Sequence, residues 1–553
     1  QHHAHMAGLE DDLHYALSVS HTIDARAMWH RPNEQTLAEI QSNLDLWESL
    51  GFNMIYVETL WSGYSSYPSE LLDTHPDVSG NRYGDHGDDY LKAFIEEAHS
   101  RGIEVHAWNS IFFLGSERRP LSNVLTDNPD WRMVNHDGTR IQNSTIFGDP
   151  ANLDLRNYLV RFHEEMFTNY DLDGMQFDYI RYPYLSDVDH PGTRTDSGYT
   201  ETAMNRFKEE YDIEGDIKTL VEEDEEVFQK FIEFRKNQVT ESLKAIRDAV
   251  FEINPEAEFS MAVVPEPDKA VREYYQEWPL WIENGYIDHI APMVYHGDPD
   301  IVADKASIIQ DIAHPLAFQY TGIAPVYFGY TPFDNQMQIN EVHAIGAFGY
   351  AIFATHNVNG NATHEEALQK SSNRDKALLP HSDMELLIQA FVDKQKDKIN
   401  NLYAPNDQMK DSEELRRMLD ELLTENPLSN AADYMEIYNQ LKVLKSYAPV
   451  LLETPAADRL TEDTERMMNL VDVKISRDLI QRELWHPEND SERPDPLALD
   501  YPDSNPDNDE QNDESEEDAQ RQISKWSIPI MVASGALIAV LLGLFYKLKI
   551  RTP

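Results

Sequence analysis

The chain has 553 residues, no cysteine and a formal net charge of −53. Its length predicts two to four units, and the missing cysteine excludes a disulfide framework, a zinc–thiolate site and a thiol nucleophile. Residues 488–518 hold 14 acids and one base, which leaves about −40 on the remainder; acidity this global argues against nucleic-acid binding and suits a well-solvated protein outside the cell, in salty or alkaline surroundings.

Residues 1–20 begin His-rich and polar and are expected to be a flexible N-terminus, with no signal peptide visible. From there, strand-like and helix-like segments alternate. Strands are predicted at 23–29, 53–59, 103–109, 174–179, 258–264 and 287–295, within 315–328, and at 346–355. Helices are predicted at 34–50, 88–100, 155–170, 200–211, 225–253 and 268–284. Eight such units over residues 21–378 predict an α/β fold, a (β/α)8 TIM barrel with insertions. An open doubly wound sheet is the alternative, but no Gly-x-Gly-x-x-Gly turn is present. Residues 379–484 are polar and helix-rich and predict a small helical domain, a spacer or a packing partner for the barrel. Residues 485–525 carry too little apolar surface to fold and predict a disordered acidic stalk. A transmembrane helix is expected at 526–547, where 528–546 is uncharged and long enough to span a bilayer. Lys547, Lys549 and Arg551 follow it, so the positive-inside rule puts the tail 548–553 in the cytoplasm and the rest outside a single-pass membrane anchor. Export implies that the sequence is a processed form.

Barrel active sites lie beyond the C-terminal ends of the strands. Asp178 ends a strand at Gly174-Met-Gln-Phe-Asp178 and is followed by a Tyr/Arg/Tyr/Pro cluster. Its bland role is to cap the turn or pair with Arg181; its functional role is nucleophile or base. The strand ends also present Arg26, His30, Glu58, Trp61, Tyr64, His106, Trp108, Asn109, Arg181, Tyr182, Tyr295, His296, Tyr327, Tyr330, His356 and Asn357. Carboxylates mixed with aromatic and hydrogen-bonding side chains suit a sugar, whose C–H faces pack on rings. Glycoside cleavage uses two carboxyl groups. Arg181 is placed to hold Asp178 ionised. Glu266, between Pro265 and Pro267, is the first choice for the acid, or else a surface glutamate. Glu58, inside an apolar run that raises its pKa, is the rival, or else a structural carboxylate. His106 and His356 are candidates for substrate hydroxyls or a metal, but without a His-x-x-x-His pair neither a catalytic metal nor a cofactor is expected.

Several ordered segments carry a family resemblance: Ala25-Arg-Ala-Met-Trp29, Leu50-Gly-Phe-Asn-Met-Ile-Tyr-Val57, Tyr67-Pro-Ser69, Ala93 through Trp108, Asn152-Leu-Asp-Leu-Arg156, Asp173 through Pro183 and Trp281 through Tyr295. The chain resembles the glycosyl-hydrolase-like family 10 proteins from about residue 23 to 373. The resemblance implies a TIM-barrel hydrolase acting on a cell-envelope or extracellular polysaccharide, with the carboxylate after strand four at Asp178. Many members carry a second aspartate next to it, where this chain has Tyr179. Members often show Trp-Phe-Asn after strand three, where this chain has Trp108-Asn109-Ser110. The leading expectation is a membrane-anchored extracellular glycoside hydrolase of a polysaccharide or oligosaccharide. The competing ones are a catalytically silent carbohydrate-binding barrel and an envelope scaffold whose helical domain recruits a partner.

Overall fold

A computed structural model of the chain describes residues 13–185, 196–324, 329–424, 426–489, 492–499 and 501. Eight parallel strands close into a barrel: β1 (Ala25–His30), β2 (Met54–Trp61), β3 (Glu104–Ser110), β4 (Gly174–Asp178), β5 (Glu258–Val263), β6 (His289–Pro292), β7 (Phe318–Ile323) and β8 (Gly349–Phe353). Each pairs with the next, and β8 pairs with β1. Every residue of β1, β4, β6 and β7 is buried, as befits strands covered on both faces. Glycine is required where strands crowd: a Cβ on Gly174 would lie 2.5 Å from the Glu258 carbonyl oxygen and 2.5 Å from His106 Nδ1.

The surrounding helices start where side chains can satisfy their free N–H groups. Thr36 and Glu39 form a capping box before Leu37–Ser49, Asp89 caps Tyr90–His99, and Asn152 caps Leu153–Asn169. Residues 268–284, expected as one helix, divide into Pro267–Tyr274 and Trp278–Glu283. The break is Tyr275, whose φ of 53° ends the first helix. Its buried ring packs on Tyr182 and beneath the Arg235 guanidinium, which holds the left-handed turn. Two small pairings were not foreseen: Tyr64–Ser65 runs antiparallel to the end of β2, and Phe113–Ser116 pairs with Thr145–Phe147. Within the N-terminus expected to be flexible, residues 13–17 are helical, with Tyr15 buried and His14 edge-on to Phe333.

The segment expected as a small helical domain, a spacer or a packing partner for the barrel packs on the barrel, and the chain through Ala498 forms one compact unit. Its helices are Met384–Lys398, Ser412–Asp420, Ala431–Leu451 and Thr454–Gln481. The last crosses the N-terminal ends of the strands. Arg477 pairs with Asp288 at 2.6 Å and Glu258 at 3.3 Å, Arg466 donates to the Ala347 carbonyl at 2.9 Å, and Lys474 donates to the His381 carbonyl at 2.6 Å. Among the described residues no helix is long and apolar enough to cross a membrane. The expected transmembrane helix at 526–547, the tail at 548–553 and most of the acidic stalk lie outside the described residues.

Candidate active site

Two carboxylates meet at the open, C-terminal end of the barrel. Glu58 lies in β2 and Asp178 ends β4, with 2% and 5% exposure. Strand β3 runs between them and ties each to the other's surroundings. Trp108 is opposite Glu58 in the ladder, and its indole Nε1 donates to Asp178 Oδ2 at 2.9 Å. Ser110 is opposite Asp178, and its hydroxyl donates to Glu58 Oε1 at 3.4 Å. A register shift between Glu58 and Leu60 marks a bulge, a device that re-aims a side chain at a barrel rim. Arg31, directly after β1, donates from Nε to Glu58 Oε2 at 2.7 Å, and its guanidinium lies 5.0 Å from the Trp108 ring and 5.6 Å from Phe353. Tyr179, at φ 49°, turns the chain so that its own N–H donates to Asp178 Oδ1 at 2.7 Å.

These surroundings separate the two acids. Burial pushes the Glu58 carboxyl up to about 7, against the lowering effect of Arg31 and with a further upward push from the charge of Asp178. Burial also raises Asp178, but the Trp108 indole, the Arg181 charge, the Tyr179 N–H and Arg31 all oppose it. Burial thus raises both carboxyls, Glu58 as far as about 7, while the donors and charges around Asp178 limit its rise. Arg181 contributes charge rather than a direct pair: its guanidinium lies 4.7 Å from the Tyr179 ring and 4.8 Å from Tyr274. Tyr295 joins the aromatic wall, 5.4 Å from Phe353, and its hydroxyl is raised by burial and then by Asp178. His356, exposed at the rim after β8, is lowered by burial and then by the charge of Arg31. Trp61, half-buried, stacks on His75 at 3.5 Å with Arg119 beside it.

Five residues expected at the site lie elsewhere. Arg26, the second residue of β1, is fully buried at the opposite end, bonded to Asp24 at 3.1 Å and to the Asp375 carbonyl at 2.7 Å. His106 lies near the start of β3, buried beside Glu104 at that same closed end. Asn109 alternates away from Trp108 and Ser110 and takes the Thr59 hydroxyl at 2.9 Å. Tyr182 is wholly buried against Tyr275. Glu266 precedes the Pro267–Tyr274 helix without a side-chain capping bond, and Lys305 Nζ at 2.5 Å holds its partly exposed carboxyl below the usual range, the reverse of what an acid catalyst needs.

Arg31, Ser110 and Phe353 were missed. Arg31 lies two residues beyond the strand predicted at 23–29, and the strand that forms runs on to His30. Ser110 could have been found by alternation, since it shares the inward face of β3 with Trp108.

Residues 21–314 match the family described as glycosyl hydrolase-like 10. The chain is similar to glycosyl hydrolase DigH of Escherichia coli strain K12, 24% identical over 279 residues, covering 46% of this chain and 56% of that protein. It is also similar to glycosyl hydrolase YngK of Bacillus subtilis, 24% identical over 267 residues, covering 46% of this chain and 48% of that one. The chain thus spans about half the length of these relatives. Among solved structures it is similar to α-L-fucosidase isoenzyme 2 of Paenibacillus thiaminolyticus, at 15% identity and a TM-score of 0.45, covering 64% of this chain and 49% of that one. With a family match over more than half of its 553 residues, the chain belongs to the glycosyl hydrolase-like 10 family.

Proposed function

We propose that the chain is a glycoside hydrolase of a polysaccharide or oligosaccharide in which Glu58 is the general acid and Asp178 the nucleophile or base. One observation carries this reading: two buried carboxyls, on β2 and β4 either side of β3, one raised to about 7 and the other supported by two hydrogen-bond donors. Glu58 gives its proton to the leaving oxygen while Asp178 attacks the anomeric carbon or activates water. Trp108 is almost wholly buried and fixes Asp178; it is a positioning residue rather than a sugar platform. The partly exposed Tyr179, Tyr295 and Phe353 supply apolar faces for pyranose C–H groups, and Arg31 supplies donors for hydroxyls. The uncharged stretch 528–546, followed by three basic residues, supports a single-pass anchor that holds the barrel outside the cell.

The test is release of reducing ends from a panel of envelope and extracellular polysaccharides. Wild type cuts at least one, and Asp178→Asn loses the cutting while retaining binding of the same oligosaccharide. If the wild type binds a glycan yet cuts none, the barrel is a carbohydrate-binding module and the enzymatic reading fails.

A further inference from the structure

The closed end of the barrel contains a second cluster that the proposed hydrolysis does not use. Three imidazoles, His106, His289 and His381, form a near-equilateral triangle with ring centroids 5.6, 5.9 and 6.0 Å apart. Two glutamates enter it. Glu104 Oε2 lies 3.2 Å from His106 Nε2 and 2.8 Å from His381 Nε2, and Glu258 Oε2 lies 3.8 Å from His289 Nδ1. The ligand-type atoms of Glu104, His106 and His381, and those of Glu258, His289 and His381, each fall within 4.8 Å of one another.

Two features point to a cation. His289 is fully buried, yet its Nδ1 has no hydrogen-bond partner and faces Glu258 beyond bonding distance. Among the described residues, the ion-pair partners of Glu104 are His106 and His381 alone, with no arginine or lysine. Glu104 is partly exposed and relies on those imidazoles alone for compensating charge, whereas Glu258 also pairs with Arg477 at 3.3 Å. The outer atoms are already ordered as in a metal site: Tyr56 Oη lies 3.0 Å from His289 Nε2, and Tyr320 Oη 3.0 Å from His381 Nδ1, which orients both rings. A tetrahedral ion bound at about 2.0–2.2 Å holds its ligand atoms roughly 3.3–3.6 Å apart, and the observed separations of 2.8, 3.2 and 3.8 Å bracket that range, so an ion would spread the Glu104 side and draw in Glu258.

We propose that this cluster binds one divalent transition-metal ion of the zinc class, with ligands drawn from Glu104, His106, Glu258, His289 and His381. His381 belongs to both triads and comes from the chain beyond β8. The ion therefore staples the helical segment to the barrel, a structural role distant from the carboxylates at the open end.

The test uses the full chain with His2, His3 and His5 replaced by alanine, so that the N-terminal histidines do not chelate. The protein is stripped with a chelator and titrated with Zn2+ or Co2+. One equivalent should bind, melting should shift upward, and Co2+ should develop visible d–d absorption. His106→Asn and His381→Asn should each weaken binding at least tenfold, and Glu266→Gln should leave it unchanged. No stoichiometric binding, or binding indifferent to both histidine substitutions, overturns the proposal and leaves a protonated histidine–glutamate network. If a substituted chain fails to fold, the Co2+ spectrum of the parent decides, and absence of d–d bands overturns the assignment.

Discussion

At Glu58 the site works against the fold. The carboxyl has an ordinary value of 4.5 and reaches about 7 in the folded chain. Between those values the folded protein retains a proton that the unfolded chain has lost, so stability falls as pH rises through that window, by on the order of 3 kcal/mol. Glu58→Gln removes this dependence. Denaturant melts at pH 5 and pH 8 should show the wild type losing stability against the variant as pH rises. The same titration shapes catalysis. An acid must be protonated, so kcat/KM should fall above about pH 7. Arg31 opposes the rise of Glu58, and Arg31→Gln should move this basic limb to higher pH, as a pH–rate profile will reveal. Glu58→Gln itself should lower turnover of an unactivated glycoside by about 10²–10⁴-fold. The sequence revealed Asp178 because an aspartate ending an apolar strand is costly without a purpose. It ranked Glu58 below Glu266, because proximity to a strand end is visible in one dimension and the counter-charge of Lys305 is not.

The strands and most helices were legible, since the period-2 and period-3.6 patterns are set by burial on the barrel's two faces. The helix at 225–253 agrees end to end with Glu225–Ile253. What escaped was the facing of individual residues. Where β1 starts and stops decides that Arg26 belongs to the closed end and Arg31 to the open one, and alternation decides between Asn109 and Ser110. The helix Thr454–Gln481 could be seen as helical, but its partner surface could not. Its Arg477 faces the largely covered Glu258 and the buried Asp288, so Arg477→Ala leaves Asp288 without its 2.6 Å partner and should cost about 3–5 kcal/mol in a denaturant titration. Arg477→Lys should recover part of that loss.

The whole molecule couples two ends through one barrel. Because the helical segment packs on the strand starts, barrel and cap should unfold together: circular dichroism and tryptophan fluorescence should give coincident transitions. With a net charge of −53, added salt should screen self-repulsion and raise the melting temperature. The open end carries the chemistry, and the division of labour between Glu58 and Asp178 is the account's central claim. It is tested most directly by comparing Glu58→Gln and Asp178→Asn on two glycosides of the same sugar, one with an acidic phenol as leaving group and one with an alcohol. Glu58→Gln should retain most activity on the phenol glycoside, which needs no proton, and lose it on the alcohol glycoside, whereas Asp178→Asn should lose both. Equal losses on the two substrates for Glu58→Gln, or full activity in Asp178→Asn, would contradict the assignment.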